Sequence, residues 1–381
     1  MDLASKKRKV KAVKEKVNTV RNLTGGGSGG GGRNSGGGGR GGRGGRRGGN
    51  KKGILAIVAI AAIVIIGLGV FALFGGNVGG LLEGLTGDGE TVLVDANQPD
   101  APGGDAQADA PVPPPTGEAT GEVRVHFIDV GQGDSILVQC DNHAILIDAG
   151  DNRIATRETI LGYLADMGVT RLDYIVATHP HLDHIGSFIH IINSDAVEVG
   201  RVMMPDVTHT SAAFRNFIAA IDENDIPATI ATQGHTFRLG EMDFTVVAPG
   251  DVSFSNLNNA SVVLRMTHGA NSFLFTGDAE VPSERNMLDN GMYLRSDIMQ
   301  AGHHGSRTSS SSDFVAAVNP RVAAISVGAG NSYNHPHTEI LDLFEEHNLL
   351  VLRTDELGHM VFVSCGADVL MPDGQRLRSL N

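Results

Sequence analysis

The pattern of apolar and polar residues divides the chain into four parts. Residues 1–52 show no apolar periodicity, and Gly25 to Gly49 is Gly-rich with Arg33, Arg40, Arg43, Arg46 and Arg47, a composition that cannot build a core. Gly53 to Phe74 is an unbroken apolar run without a charge, GILAIVAIAAIVIIGLGVFALF. As a helix at ~1.5 Å per residue it reaches about 33 Å, enough to cross a ~30 Å hydrocarbon layer. It exceeds a signal-peptide apolar core and has no clear cleavage site after it, so it predicts one transmembrane helix. Residues 75–121 are rich in Gly, Pro, Ala and Asp and predict a flexible acidic spacer.

From Glu122 the pattern changes to short apolar runs alternating with helical spacings. Val123 to Val130, Ser135 to Cys140 and Ala144 to Asp148 predict three successive strands. Ala155 to Met167 predicts a helix, Leu172 to Ala177 a strand, Phe188 to Ile192 a helix, Val197 to Met203 a strand and Ser211 to Glu223 a helix. Two hairpins follow, Thr236 to Leu239 with Phe244 to Val247, then Ser261 to Met266 with Ser272 to Phe275. Next come a helix at Val281 to Asp289, a strand near Ile298, a helix from Asp313, a strand at Val322 to Val327, a helix from Thr338 and two final strands. Hairpins interspersed with helices predict two mixed sheets covered by helices on their outer faces, in a domain spanning 122–381.

Charge sharpens this division. The formal net charge is −13, yet half of the 30 Lys and Arg lie within residues 1–52, where Asp2 and Glu15 are the acids. No lysine follows Lys52. Lys51, Lys52 and the arginines beside the apolar run place the tail in the cytoplasm and the C-terminal part outside, by the positive-inside rule. The run Lys-Lys-Arg-Lys-Val near the start imitates a nuclear localisation signal, which a membrane span argues against. The tail is a candidate for binding nucleic acid through phosphate charge and guanidinium stacking, or anionic lipid headgroups. Cys140 and Cys365 are the two cysteines, both in apolar strand-like runs, and are expected to be buried free thiols.

The candidate chemistry centres on Thr178-His179-Pro180-His181-Leu182-Asp183-His184. After the apolar run Tyr174 to Ala177, the chain turns through Pro180 and is expected to enter a helix at Ile185, which presents three imidazoles and a carboxylate at the end of a strand. Further metal-competent residues sit at other predicted strand ends: Asp148 after Ile145-Leu146-Ile147, Asp278 after Phe273 to Gly277, and His303-His304 after the strand near Ile298. Each alone predicts only a turn or cap. Together with HxHxDH they predict a metal centre.

With these motifs the sequence resembles the metallo-β-lactamase superfamily, and more narrowly the extracellular C-terminal domain of ComEC-type competence proteins. The resemblance runs over about residues 122 to 365, through HFIDVGQGDS, ILIDAG, THPHLDH, NNASVVL, LFTGDAE, HHGS and ISVGAGNSYNHPH. It implies an α/β (α+β) fold, a four-layer αββα sandwich with a two-metal site on one edge. His179 and His181 would bind the first metal. Asp183, His184 and one of the His303-His304 pair, His304 before His303, would bind the second, and Asp278 would bridge them. Asp148 would orient a ligand imidazole. Where many members supply a third His to the first metal, this chain has Asn258-Asn259, so either Asn259 or water fills that place, or the first site is weak.

The same resemblance implies hydrolysis by a water activated between two divalent ions, Zn²⁺ or Mn²⁺, with Asp183, Asp278 and His303 in catalytic roles. His303 would contact the substrate or protonate the leaving group. Ser306 and Arg307 are candidate phosphate donors. Asp134, in a Gly131-Gln132-Gly133-Asp134 turn that lacks the Gly-Lys-Ser/Thr of a phosphate loop, is a candidate for a supporting position near the metals. His335, after Asn334 in an expected left-handed turn, would face the substrate or cap the following helix. His126, His143, His190, His209, His235, His268, His347 and His359 are expected to be structural or exposed. The expected substrate is a phosphodiester, DNA or a small phosphoester; acyl hydrolysis on the same fold and non-enzymatic nucleic-acid binding through the tail are the alternatives. The acidic charge beyond Lys52 offers little long-range attraction to DNA.

Overall fold

A computed structural model describes residues 121–380. The basic tail, the apolar run at 53–74 and all of the spacer but Gly121 lie outside the described residues. No helix among the described residues is long and apolar enough to cross a membrane.

The first half comprises β1 (Val123–Phe127), β2 (Ile136–Cys140), β3 (His143–Ile147), α1 (Ile154–Asp166), β4 (Arg171–Leu172), β5 (Tyr174–Val176), α2 (Leu182–Ile185), α3 (Phe188–Ile192), β6 (Glu198–Val199), β7 (Val202–Met204), α4 (Ala212–Glu223) and β8 (Ala228–Ile230). The second comprises β9 (Thr236–Leu239), β10 (Met242–Ala248), β11 (Val263–His268), β12 (Asn271–Phe275), α5 (Val281–Asp289), β13 (Ile298–Gln300), α6 (Ser312–Val318), β14 (Val322–Ile325), α7 (Thr338–Glu346), β15 (Leu350–Arg353), α8 (Thr354–Leu357), β16 (Met360–Ser364) and β17 (Val369–Leu370).

One sheet has the order β17-β16-β1-β2-β3-β5-β7-β8 and the other β15-β14-β13-β12-β11-β10-β9. Each begins as an antiparallel meander and continues with parallel strands, β3-β5-β7-β8 in one and β12-β13-β14-β15 in the other. Period-two alternation explains the layers. Along β2, Ile136, Val138 and Cys140 face the second sheet, meeting Phe244, Leu264, Phe273 and Phe275. Leu137 faces the other way, into a cluster with Ile160 of α1, Phe188 of α3 and Phe217 of α4. Leu274 and Met299 likewise pack on Met287, Phe314 and Phe344 of α5, α6 and α7. Three apolar clusters between four layers give the expected αββα sandwich.

Local chemistry sets the helix ends. Ser211 accepts a hydrogen bond from the Phe214 amide and starts α4, whose Phe214, Phe217, Ile218 and Ile221 make one buried stripe.

Some expectations change. The runs Leu172 to Ala177 and Val197 to Met203 each break into two strands, at Asp173 and at Gly200-Arg201. The outer pieces β4 and β6 pair with each other as a separate ribbon, while β5 and β7 pair in the main sheet. The break suits Gly200, where a Cβ would lie 2.7 Å from the Arg171 guanidinium. The helix expected from Ile185 begins at Leu182, inside the His motif. β8 and β17 were not expected; both are short and only partly buried. Both thiols are free, but Cys365 is exposed, because it lies just past β16.

Candidate metal centre

Ligand-type side chains meet at one edge because the parallel strands carrying them end together, the usual place for a crevice in α/β sheets. β3 leads to Asp148 and β5 to the loop Thr178 to His184. From the other sheet, β12 leads to Asp278 and β13 to the turn Gly302–Gly305. His181 occupies the N-cap position of α2, so Asp183 and His184 fall in its first turn. In the β13 turn, His303 and His304 are both left-handed, with φ of 51° and 56°. Such backbone in consecutive non-glycine residues persists only where surrounding structure enforces it.

Asp278 is 2% exposed and divides the imidazoles between its two oxygens. Oδ1 lies 3.2 Å from His184 Nε2 and 3.7 Å from His304 Nε2. Oδ2 lies 3.5 Å from His179 Nε2 and 3.5 Å from His303 Nε2. Asp183 joins the Oδ1 side, with its Oδ2 3.5 Å from His304 Nε2 and 4.0 Å from His184 Nε2. His181 joins the Oδ2 side, its Nδ1 2.9 Å from His179 Nε2. The ligand atoms of His179, His184 and Asp278, and those of Asp183, His184 and His304, all lie within 4.8 Å of one another. His181 and His303 stand outside these tight triads.

The ring nitrogens that turn away from the cluster have partners. Nδ1 of His184 faces Asp148 Oδ2 at 2.7 Å, and Nδ1 of His304 faces the Ser326 carbonyl at 3.0 Å. Nδ1 of His179 lies 3.1 Å from the Thr178 hydroxyl, which itself donates to Asp148. Carbonyl and carboxylate oxygens accept, so the protons sit on Nδ1 and each Nε2 turns a lone pair inward. Nε2 of His184, Nε2 of His304 and Oδ1 of Asp278 are buried without a hydrogen-bond partner. Lone pairs of nitrogen and oxygen converging on a shared space are the donor set of a divalent cation.

The electrostatics agree. Burial disfavours charge on His184, yet the carboxylates of Asp278 and Asp148 pull its pKa well above the ordinary value. Burial opposes charge on His304 as well, and Asp278 with Asp134 raises it well above. Asp278 is buried but held well below the usual carboxylate range by His184 and His304. Burial, then the neighbouring His184 charge, pushes His179 well below. The carboxylates demand positive charge here, and a cation meets that demand without protonating the ligands.

The structure brings most of the expected residues to this edge. Asp148 receives the Thr178 amide at 2.8 Å as well as His184, and burial raises its pKa to about 6. Asp134 accepts from Gln300 Nε2 at 2.6 Å and lies 3.4 Å from His304 Nδ1. His335 follows left-handed Asn334, and its ring centroid is 5.5 Å from that of His303. Burial, then the charges of His304 and His303, lowers its pKa to about 4.

Three expectations are redirected. Asn259 does not face the first metal position: its Oδ1 accepts the amides of Glu280 and Ser283, and its Nδ2 donates to Glu280. Arg307 is 58% exposed and ion-paired with Glu339 at 3.0 Å. Ser306 bonds to the Thr308 hydroxyl at 3.0 Å, within a loop whose Ser310 and Ser311 amides are held by Glu284. Two neighbours were missed. Glu280 lies 3.3 Å from His303 Nδ1, and the His209 ring centroid is 6.0 Å from that of His181. Glu280 stands in the LFTGDAE motif, two residues past Asp278, which could have drawn attention to it; nothing in sequence marks His209.

Comparison with known proteins places this geometry among relatives. The family model described as the metallo-beta-lactamase superfamily matches residues 128–329. ComE operon protein 3 of Bacillus subtilis is 29% identical over 253 residues, covering 62% of this chain and 32% of that protein. Competence protein ComA of Neisseria gonorrhoeae is 31% identical over 245 residues, covering 63% of this chain and 32% of that protein. The chain thus spans about a third of the length of these curated relatives. Among solved structures, the metallo-beta-lactamase fold protein YhfI of Bacillus subtilis aligns with a TM-score of 0.42 at 14% identity, covering 64% of this chain and 100% of that one.

Proposed function

The chain belongs to the metallo-β-lactamase superfamily, and from that premise we propose that it is a metal-dependent phosphodiesterase of the nuclease type, anchored in a membrane by residues 53–74 with its catalytic part outside. The observation that carries the reading is Asp278, which turns one oxygen to His184 and His304 and the other to His179. His179, His181 and Asp278 would hold one ion; Asp183, His184, His304 and Asp278 would hold the other. Two divalent ions held there would supply Lewis acidity, lowering the pKa of water toward ~7 and offsetting negative charge on a phosphoryl oxygen. Zn²⁺ and Mn²⁺ both suit this His and Asp set.

The residues around the ions prepare this chemistry. Asp148 and the Ser326 carbonyl keep His184 and His304 in one tautomer, and Asp278 and Asp183 supply the anionic ligands. A nucleic-acid phosphodiester is the leading substrate, on the strength of the paired ion positions around Asp278. A small phosphoester is a second reading, favoured by charge: no lysine follows Lys52, and 41 of the chain's 43 acids lie beyond it. The basic tail would add nucleic-acid or anionic-lipid binding.

The test uses full-length protein loaded with Zn²⁺ or Mn²⁺. Turnover of bis-p-nitrophenyl phosphate is expected, lost on chelation and reduced on the order of 100-fold or more in His181→Ala and Asp278→Ala. Efficient hydrolysis of lactams or lactones with phosphodiesters untouched would overturn the substrate class. Extraction of the protein from membranes by alkaline carbonate would overturn the anchor.

A further inference from the structure

His303 is dressed as the metal-facing imidazoles are. Its Nδ1 lies 3.3 Å from Glu280 Oε1 and 3.3 Å from the Thr308 hydroxyl, both nearer than Asn258 Nδ2 at 3.5 Å, which donates to Glu280 at 3.2 Å. Glu280 is itself fixed by four side-chain donors. Asn256 and Asn259 donate to its Oε2 at 2.7 and 3.2 Å; Asn258 and Thr308 donate to its Oε1 at 3.2 and 3.0 Å. An acceptor held this firmly keeps the imidazole proton on Nδ1, as Asp148 does for His184, and leaves a lone pair on Nε2. That lone pair faces Asp278 Oδ2 at 3.5 Å, the oxygen that His179 Nε2 also approaches at 3.5 Å. Acceptors facing one another are costly unless a cation lies between them.

Taking the two-ion reading as given, we propose that His303 is the third imidazole of the first metal position, beside His179, His181 and Asp278, and that Glu280 is the carboxylate that aims it. The adjacent histidines of the β13 turn then serve different ions, His303 through Oδ2 of Asp278 and His304 through Oδ1. The left-handed backbone at both residues is what lets neighbouring side chains reach the two halves of one site. Asn256 and Asn259 act through Glu280, and Asn258 donates to the same carboxylate while its own Oδ1 stays buried without a hydrogen-bond partner. His303 thereby moves from the leaving-group role expected from sequence to that of a ligand.

The test is zinc stoichiometry and affinity on purified full-length protein, stripped and reloaded, with metal measured by mass spectrometry and affinity by competition with a chromophoric chelator. Wild type is expected to hold two ions. His303→Gly, which suits a backbone φ of 51°, should weaken one of them by 10- to 100-fold and leave the other unchanged. Glu280→Gln should weaken the same ion by roughly 10-fold, and the double variant should be no worse than His303→Gly alone. His303→Asn, with circular dichroism, separates this loss from misfolding. The inference is overturned if His303→Gly keeps two ions at wild-type affinity, or if Glu280→Gln adds its full effect in the double variant. Fewer than two ions on wild type would instead overturn the two-ion reading beneath it.

Discussion

Asp148 Oδ2 lies 2.7 Å from Nδ1 of His184, and neither side chain is exposed to solvent. The pair crosses from β3 to α2, so the carboxylate fixes a ligand imidazole that its own strand does not carry. Replacing Asp148 by Asn keeps the shape but removes the charge. Zinc titration of Asp148→Asn should show one ion weakened by roughly 10- to 100-fold, with the fold retained.

Gly133 packs closely beneath the metal loop. It has φ of 139°, and a Cβ there would lie 2.4 Å from the Asp183 carbonyl oxygen, which also accepts the Asp134 amide at 3.2 Å. Gly133→Ala should destabilise the protein by about 2 kcal/mol or more in denaturant unfolding and displace Asp183 from the Oδ1 side.

Arg307 separates two views of the Ser-rich loop. As an exposed partner of Glu339, it should contribute ~0.5 kcal/mol or less to stability. Arg307→Ala should leave KM for a phosphodiester within about twofold of wild type. A large rise in KM would return Arg307 to the phosphate-gripping role expected from sequence.

His126 lies away from the metal edge, buried under Tyr163, whose hydroxyl is 2.9 Å from its Nδ1. Burial, then the Arg124 charge, lowers its pKa to about 4. The folded protein therefore refuses a proton that the unfolded chain accepts below its ordinary value near 6.5. The associated stability is fully present above pH 6.5 and is lost as pH falls from there toward 4, on the order of 3 kcal/mol. Urea unfolding across that range should show a shallower acid-side loss in His126→Gln than in wild type.

Much of this was legible locally. Alternation in Ile136 to Cys140 and Ile145 to Ile147 marked strands because one face meets the second sheet and the other meets helices. HxHxDH, Asp148, Asp278 and the His303-His304 pair were visible because each is a compact motif at a strand end. Asn334 declared its left-handed turn, and with it the placing of His335. The rest depends on contacts between distant segments. Asn259 sits where a ligand would be sought, yet its amide is consumed by α5. Glu280 has meaning only once Asn256, Asn258 and Thr308 surround it. The breaks at Asp173 and Gly200 arise from a ribbon formed between two strand ends, and periodicity within either strand carries no sign of that pairing.

The loops that meet at Asp278 come from both sheets, four of the proposed ligands from the first and the rest from the second. A bound cation is thus also a clasp across the open rim of the sandwich. The apolar clusters below contain none of the proposed ligands, so chelation should loosen the rim ahead of the core. Amide exchange would then quicken first around residues 178–184 and 302–305, while β2 and β12 stay closed.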